Sequence, residues 1–130
     1  MSVRPLRNYR SAFVMGLLAM PLAAQHIDHR NSLAPPVFSP QNIVERMLEA
    51  ANVKPGEMVY DLGCGDGRVL VTAVQRYRAK AVGVELSPQL VKQATDRIRI
   101  LHLENDARVI EANLLDVDLS PADVVAKLTA

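Results

Sequence analysis

Apolar residues recur along the chain with two different periods. An apolar residue at every third or fourth position predicts a helix. Three segments have this pattern: 39–54, 67–80 and 88–105. Short valine-rich runs between turn residues predict strands at 57–63, 81–86 and 107–115, and a fourth begins at 122–128. Alternation of short strands with helices indicates parallel pairing through right-handed crossovers. The expected fold class is therefore α/β, a Rossmann-like doubly wound parallel sheet.

Single positions within these elements carry expectations of their own. Ser39 is a favourable N-cap for the first helix, and Pro40 suits its first helical position. In the first strand the side chain of Tyr60 points away from that of Asp61, into the core. Leu101 falls on the inward-facing stripe of the third helix.

The first 24 residues have a different pattern from the rest. Arginines at 4, 7 and 10 precede an apolar run from Ala12 to Ala24 that is shorter than the ~20 residues of a membrane span. A basic stretch, an apolar stretch and small residues in that order are typical of a secretory signal. Residues 1–24 are therefore interpreted as a signal peptide or N-terminal anchor, which implies an exported, periplasmic or membrane-associated protein. If translation starts at Met15 or Met20 instead, the segment is no signal and the protein is cytoplasmic.

A polar, proline-containing linker at 25–38 separates that segment from the domain at 39–130. His26, Asp28 and His29 are close in sequence, but on a linker such residues are usually solvated, so no metal site is assigned.

Composition restricts the partners. The net charge is +1, aromatic residues make up 4% of the chain and Trp is absent, which argues against a nucleic-acid surface. One cysteine, Cys64, excludes an internal disulfide and a cysteine-rich metal site.

The stretch VYDLGCGDGR, residues 59–68, places three glycines in five positions after the first strand. Glycines between a strand and a helix allow a ligand to approach the main chain, at the carboxyl end of the sheet where ligands of such folds bind. Glu85 ends the second strand about twenty residues later, where an acid accepts hydrogen bonds from ribose hydroxyls. The combination predicts a nucleoside ligand.

The glycine spacing and Asp61 distinguish between nucleoside ligands. A dinucleotide site has G-x-G-x-x-G, whereas this loop has G-x-G-x-G with Arg68 following it. Asp61 two residues before the first glycine is unfavourable beside a pyrophosphate and favourable beside a cation. S-adenosylmethionine, with its ammonium and sulfonium groups, is therefore the predicted cofactor.

VYDLGCGDGR resembles motif I of the class I S-adenosylmethionine-dependent methyltransferases, and AVGVELSP, residues 81–88, resembles their second motif. From Phe38 to Val125 the chain is similar to small bacterial relatives of protein-lysine methyltransferases. The resemblance implies a methyltransferase domain of which this chain has the N-terminal, cofactor-binding half. It implies a protein lysine, another protein group or a small molecule as methyl acceptor.

The resemblance also implies roles for individual residues. Asp61, Gly63 and Gly65 would line the methionine part of the cofactor. Glu85 would bind the ribose hydroxyls, with Leu86 against the adenine.

In the family an acid–leucine pair contacts the adenine edge, and here the matching residues are Asn113 and Leu114. Phe38 and Ser39 correspond to a segment that closes over the cofactor. Asp66 is expected in a turn and Arg68 in solvent, and no catalytic residue is assigned.

Two alternatives from other classes remain. The segment after the fourth strand, which in relatives carries substrate-binding groups, does not appear before Ala130. A non-catalytic cofactor-binding or interaction module is therefore one alternative. The other is a fragment of a nicotinamide-dependent oxidoreductase, which shares the fold and the acid at Glu85.

Overall fold

A computed structural model describes residues 10–15 and 38–129. Its elements in chain order are β1 (Arg10–Met15), α1 (Gln41–Ala50), β2 (Met58–Leu62), α2 (Arg68–Tyr77), β3 (Lys80–Glu85), α3 (Pro88–Ile100), β4 (Ala107–Glu111) and β5 (Val124–Thr129). The linker histidines and Asp28 lie outside the described residues.

The described strands form one parallel sheet in the order β1-β5-β2-β3-β4. β2 lies between β5 and β3, so that Asp61 has Ala126 on one side and Gly83 on the other. Because all the pairings are parallel, the carboxyl ends of the strands lie at one edge of the sheet. The predicted α/β, Rossmann-like parallel architecture is confirmed, and it puts the glycine loop at that edge.

The apolar core is divided between the two faces of the sheet. One cluster joins α1, α2 and α3 to the sheet through side chains that are almost fully buried, among them Val44, Met47, Leu48, Leu70, Ala94, Val59 and Val124. The other cluster centres on Tyr60, Val82 and Val84, and is covered by side chains from the segment 112–119. Tyr60 is buried in this second cluster, as its alternation with Asp61 predicted.

The structure corrects the predicted ends of the third helix and of the third predicted strand. α3 ends at Ile100 rather than at residue 105, because His102 adopts a positive φ of 56° that a helix cannot accommodate. Leu101 lies beyond this end and is 40% exposed, so its predicted inward position was wrong. β4 likewise ends at Glu111, and Asn113 and Leu114 lie in a turn instead of the predicted strand.

The start of α1 also differs from the prediction. Pro40 occupies the N-cap position, and no side chain caps the helix. Proline donates no N–H, so one of the unpaired donors of a first turn is absent here. Ser39 instead contributes its carbonyl oxygen, which accepts a hydrogen bond from Arg68.

β1 lies within the segment that the sequence assigns to a leader. Arg10 to Met15 pair in register with Val124 to Thr129. Cleavage after residue 24 would remove this strand, so the leader and the strand are alternative uses of the same residues. Among the helices of the described residues none has the length and apolar character to cross a membrane.

Candidate functional site

The glycine loop joins β2 to α2 at the carboxyl end of the sheet. Gly63, Gly65 and Gly67 have φ values of 80°, 54° and 83°, in the left-handed region that other residues rarely adopt. The Gly63 amide donates to the carbonyl oxygen of Val84 at 2.8 Å, which fixes the loop to β3. The glycines thus serve a tight turn whose backbone is open on one side, since a Cβ at Gly63 would meet no atom within 4 Å.

Asp61 is a buried acid without a compensating charge. It lies on the central strand between Gly83 and Ala126, and the residue is only 2% exposed. Burial, and then the carboxylates of Glu85 and Asp66, raise the pKa of Asp61 from 3.8 to about 7. No positive charge or hydrogen bond from the described residues offsets these effects. A cation placed beside Asp61 would therefore gain an unusually strong interaction.

Asp66 is equally buried but has cationic partners. Its Oδ2 accepts from the Nη2 of Arg68 at 2.8 Å and from the Nη2 of Arg97 at 3.1 Å. Burial by itself would raise the pKa of Asp66, but hydrogen bonds from Arg68 and the charge of Arg97 outweigh it and lower the pKa. Arg68 was expected in solvent and is instead held in this network, with only 27% of its side chain exposed.

Glu85 connects the glycine loop to the turn after β3. Its Oε2 accepts from the Gly65 amide at 3.0 Å, and its Oε1 accepts from the amides of Leu86 and Ser87, both at 3.1 Å. A carboxylate has about four lone-pair sites, of which these amides use three, so Oε2 can still accept from one ligand hydroxyl. The side chain is fixed where the sequence predicts an acceptor for ribose.

A cleft of about 280 Å³ opens at this edge, lined by Gly63, Glu85, Leu86, Asn113, Leu114, Leu115 and Lys127. Five of the seven predicted cofactor residues lie in this lining. Asp61 and Gly65 are not part of it, although the Gly65 amide binds the Glu85 carboxylate. A larger groove of about 560 Å³ between α2 and α3 contains none of the predicted residues. The position of the predicted residues therefore favours the smaller cleft as the cofactor site.

Three residues of the site were not identified from the sequence: Leu115, Lys127 and Gly83. Lys127 lines the cleft because β5 pairs with β2 so that Lys127 lies opposite Leu62. Only the strand order reveals this proximity. Gly83 lies beside the loop, where an added Cβ would be 2.6 Å from the Sγ of Cys64. A glycine inside a predicted strand was the available signal, because it often marks a close approach.

Cys64 has no features of a nucleophile. Its side chain is packed between the loop and β3, and the residue is 5% exposed. Burial, with the nearby carboxylates of Asp61 and Glu85, raises the pKa of the Cys64 thiol to about 12. The thiol is therefore protonated at neutral pH and acts as a small apolar side chain.

These features fit a cationic nucleoside better than a dinucleotide. The acids Asp61 and Glu85 would repel a pyrophosphate, and the uncompensated carboxylate is complementary to an ammonium group. Apolar Leu86, Leu114 and Leu115 beside the polar Asn113 suit a flat base with a hydrogen-bonding edge. Residues 38–129 contain no group of metal-binding side chains.

Comparison with known proteins agrees with this chemistry. The family model of the ANTKMT methyltransferase domain matches residues 61–127. A protein-lysine N-methyltransferase of Saccharolobus islandicus is 41% identical over 92 residues, which cover 70% of this chain and 57% of that protein. A ribosomal protein L11 methyltransferase of Clostridium botulinum is 36% identical over 73 residues, covering 56% of this chain and 23% of that protein.

A solved structure shows the same relationship. The RNA methyltransferase of Salinibacter ruber, crystallised with S-adenosyl-L-homocysteine, is 36% identical and superimposes with a TM-score of 0.69. The match covers 70% of this chain and 60% of that one. The chain thus spans less than two thirds of the length of these relatives. S-adenosylmethionine, the cofactor predicted from the sequence, is confirmed for this family. The chain belongs to the ANTKMT methyltransferase domain family, within the class I S-adenosylmethionine-dependent methyltransferases.

Proposed function

We propose that the chain binds S-adenosylmethionine in the cleft at the carboxyl ends of β2, β3 and β4, for methyl transfer to a protein lysine. The observation that carries the proposal is the buried, uncompensated carboxylate of Asp61 beside a glycine loop. It creates a position where a cationic amino acid end is favoured, directly before the residues of the nucleoside cleft.

In this arrangement the methionine end lies over the loop. Asp61 accepts from the ammonium group, and the exposed backbone of Gly63 and Gly65 allows the amino acid portion to approach the main chain. Glu85 retains a lone pair on Oε2 for a ribose hydroxyl. Because three backbone amides already fix this carboxylate, it is pre-oriented for the ligand.

The base occupies the outer part of the cleft. Asn113 accepts from the Leu115 amide through its side-chain oxygen, so its side-chain NH2 group is directed elsewhere and is suited to a ring nitrogen. Leu86 is 65% exposed and Leu115 is 91% exposed, so covering them with an adenine would remove apolar surface from water. Leu114 adds a partly buried apolar contact.

The reaction requires mainly orientation from the protein. S-adenosylmethionine, held by Asp61, Glu85 and the residues of the cleft, would supply an electrophilic methyl group to the acceptor amine, whose proton would leave to solvent. Asp61 and Glu85 would contribute by holding the amino acid end and the ribose of the cofactor, on either side of the sulfonium, so that the methyl group faces one direction.

Support for a protein acceptor comes from relatives. The Saccharolobus islandicus and Clostridium botulinum proteins are named for methylation of protein lysine and of a ribosomal protein. The net charge of +1 and the scarcity of aromatic residues are also unlike a nucleic-acid surface.

The first test is calorimetric titration of the full chain with S-adenosylmethionine, S-adenosylhomocysteine and NADH. We expect the first two to bind and NADH not to bind. Asp61→Asn and Glu85→Gln should each weaken binding by about tenfold or more, as expected for a lost hydrogen bond to a charged group. Asp96→Asn is the control, since Asp96 forms ion pairs with Lys92 and Arg99 on the surface of α3. Binding of NADH instead would establish the oxidoreductase alternative.

The acceptor is tested by transfer of a labelled methyl group to a pool of bacterial proteins and, separately, to RNA. Label in the protein pool that disappears when lysines are chemically blocked supports the proposal. Label in RNA alone would overturn the acceptor assignment. Cofactor binding without transfer to either pool would establish the non-catalytic module.

A further inference from the structure

The arginine at the start of α2 joins three parts of the site. Arg68 donates two side-chain hydrogen bonds to Asp66, from Nε to Oδ1 at 3.1 Å and from Nη2 to Oδ2 at 2.8 Å. Its own amide also donates to Oδ1 of Asp66 at 3.2 Å, and Arg97 binds the other oxygen. A bidentate ion pair of this kind fixes the plane of a guanidinium group.

The fixed guanidinium group then holds the segment before α1. Its Nη1 donates to the carbonyl oxygen of Ser39 at 2.9 Å, and its centre lies 5.1 Å from the centroid of the Phe38 ring. That distance is within the range of an attractive cation–π contact. Phe38 and Ser39 are therefore tied to the glycine loop through one side chain.

Phe38 in turn covers the loop. Two atoms of its ring lie 3.2 Å from the position that a Cβ on Gly65 would occupy, so a larger residue there would have to displace the ring slightly. The amide of the same Gly65 donates to Glu85, the proposed ribose acceptor. The ring is thus placed against the loop residue that contacts the proposed site.

Loss of the contacts between Arg68 and residues 38 and 39 should leave the rest of α1 in place. Val44, Met47 and Leu48 are fully buried in the core, and Gln41 donates to the hydroxyl oxygen of Thr72 on α2 at 3.0 Å. Substitution of Arg68 is therefore expected to release residues 38–40 without unfolding the helix, and to leave Arg97 as the cationic partner of Asp66.

Resting on the proposed function, we propose that Arg68 is a positioning residue that holds Phe38 across the glycine loop and thereby slows the exchange of S-adenosylmethionine. The opposing interpretation is that the network only stabilises the fold. The two differ in what they predict for the rate of cofactor dissociation.

The test measures cofactor dissociation from the immobilised full chain by surface plasmon resonance. Arg68→Met should raise the dissociation rate about tenfold, the equivalent of one hydrogen bond to a charged donor, with a small effect on association. Arg68→Lys should restore part of the loss, because lysine can reach one acceptor but cannot form the bidentate ion pair. Phe38→Leu should raise the rate similarly, and the double variant Phe38→Leu/Arg68→Met should be no faster than the faster single variant.

Arg76→Met is the matched control. Arg76 lies on the same helix and forms an ion pair with Glu45, but its side chain is 58% exposed and remote from the loop. It should leave the dissociation rate unchanged. Hydrogen exchange should rise at the amides of Ile43 and Val44, which donate to the Pro40 carbonyl oxygen, in Arg68→Met and not in Arg76→Met.

The outcomes separate this inference from the function beneath it. If the unsubstituted chain binds no S-adenosylmethionine, both are overturned. If it binds and Arg68→Met only lowers the unfolding midpoint with no change in dissociation rate, the function stands and the positioning role is refuted. Additive effects of Phe38→Leu and Arg68→Met would also refute it, because the two side chains would then act separately.

Discussion

Replacement of Asp61 by asparagine tests the origin of the proposed cation-binding site, because it removes the negative charge of the side chain and keeps its shape. The difference between the ordinary pKa of 3.8 and the value of about 7 in the folded chain corresponds to roughly 4 kcal/mol, at about 1.36 kcal/mol per pKa unit. Between these two values the folded state binds more protons than the unfolded state, so the free energy of unfolding falls as pH rises from about 4 to about 7.

The asparagine variant should escape this loss. Without cofactor, Asp61→Asn should be more stable than the natural chain by up to about 4 kcal/mol at pH 8, and by about 2 kcal/mol at pH 5. Urea unfolding at the two pH values measures both numbers. The decisive quantity is the difference of about 2 kcal/mol between them, since it cancels any effect of asparagine itself on packing.

Cofactor affinity should show the opposite preference for charge. An ammonium group binds the ionised form of Asp61, which is about half populated at pH 7 and about 1% populated at pH 5 when the pKa is about 7. Affinity should therefore be about 50-fold weaker at pH 5 than at pH 7 in the natural chain. In Asp61→Asn it should be weak and nearly independent of pH. A calorimetric titration series that gave parallel pH profiles for the two proteins would refute the assignment of Asp61 to the ammonium group.

Three further predictions concern the surroundings of the site. Gly83→Ala should lower the free energy of unfolding by about 1–3 kcal/mol, because its Cβ would be 2.6 Å from the Cys64 sulfur; an unchanged urea midpoint would show that the loop can move aside. Cys64 should react slowly with a disulfide reagent at pH 8 and rapidly only in denaturant, given burial and a thiol pKa of about 12; fast reaction of the native chain would contradict this. We also expect residues 1–24 to act as a leader, so that mass spectrometry of the protein expressed in a bacterium gives a start at Gln25; an intact N-terminus in the cytoplasmic fraction would refute it.

The local elements were predictable because their signals are local. The alternation of Tyr60 and Asp61 and the left-handed glycines of the loop follow from neighbouring residues alone. The ends of elements were less well predicted, since the apolar period of α3 continues to Leu101 while the backbone turns at His102. Periodicity records where a helix would be amphipathic, but not where a turn interrupts it.

Contacts between distant segments were outside the reach of the sequence. Lys127 lines the cleft because β5 lies beside β2. Arg68 is partly buried because the segment before α1 passes over the loop. Each depends on a pairing across many residues, which composition and spacing do not encode locally. Lys127 was missed because its surroundings come from another element.

Asp61 and Asp66 have opposite electrostatic surroundings in the structure, and the sequence alone does not show this difference. Both are aspartates of the same short motif, and both are 2% exposed. Asp66 is surrounded by Arg68 and Arg97, which lower its pKa and use its oxygens for the fold. Asp61 has small apolar neighbours on both adjacent strands and two carboxylates nearby, which raise its pKa. A buried acid that costs stability in the free protein is difficult to explain by folding alone. A bound cation would relieve that cost, and we therefore propose Asp61 as the partner of the cofactor's ammonium group.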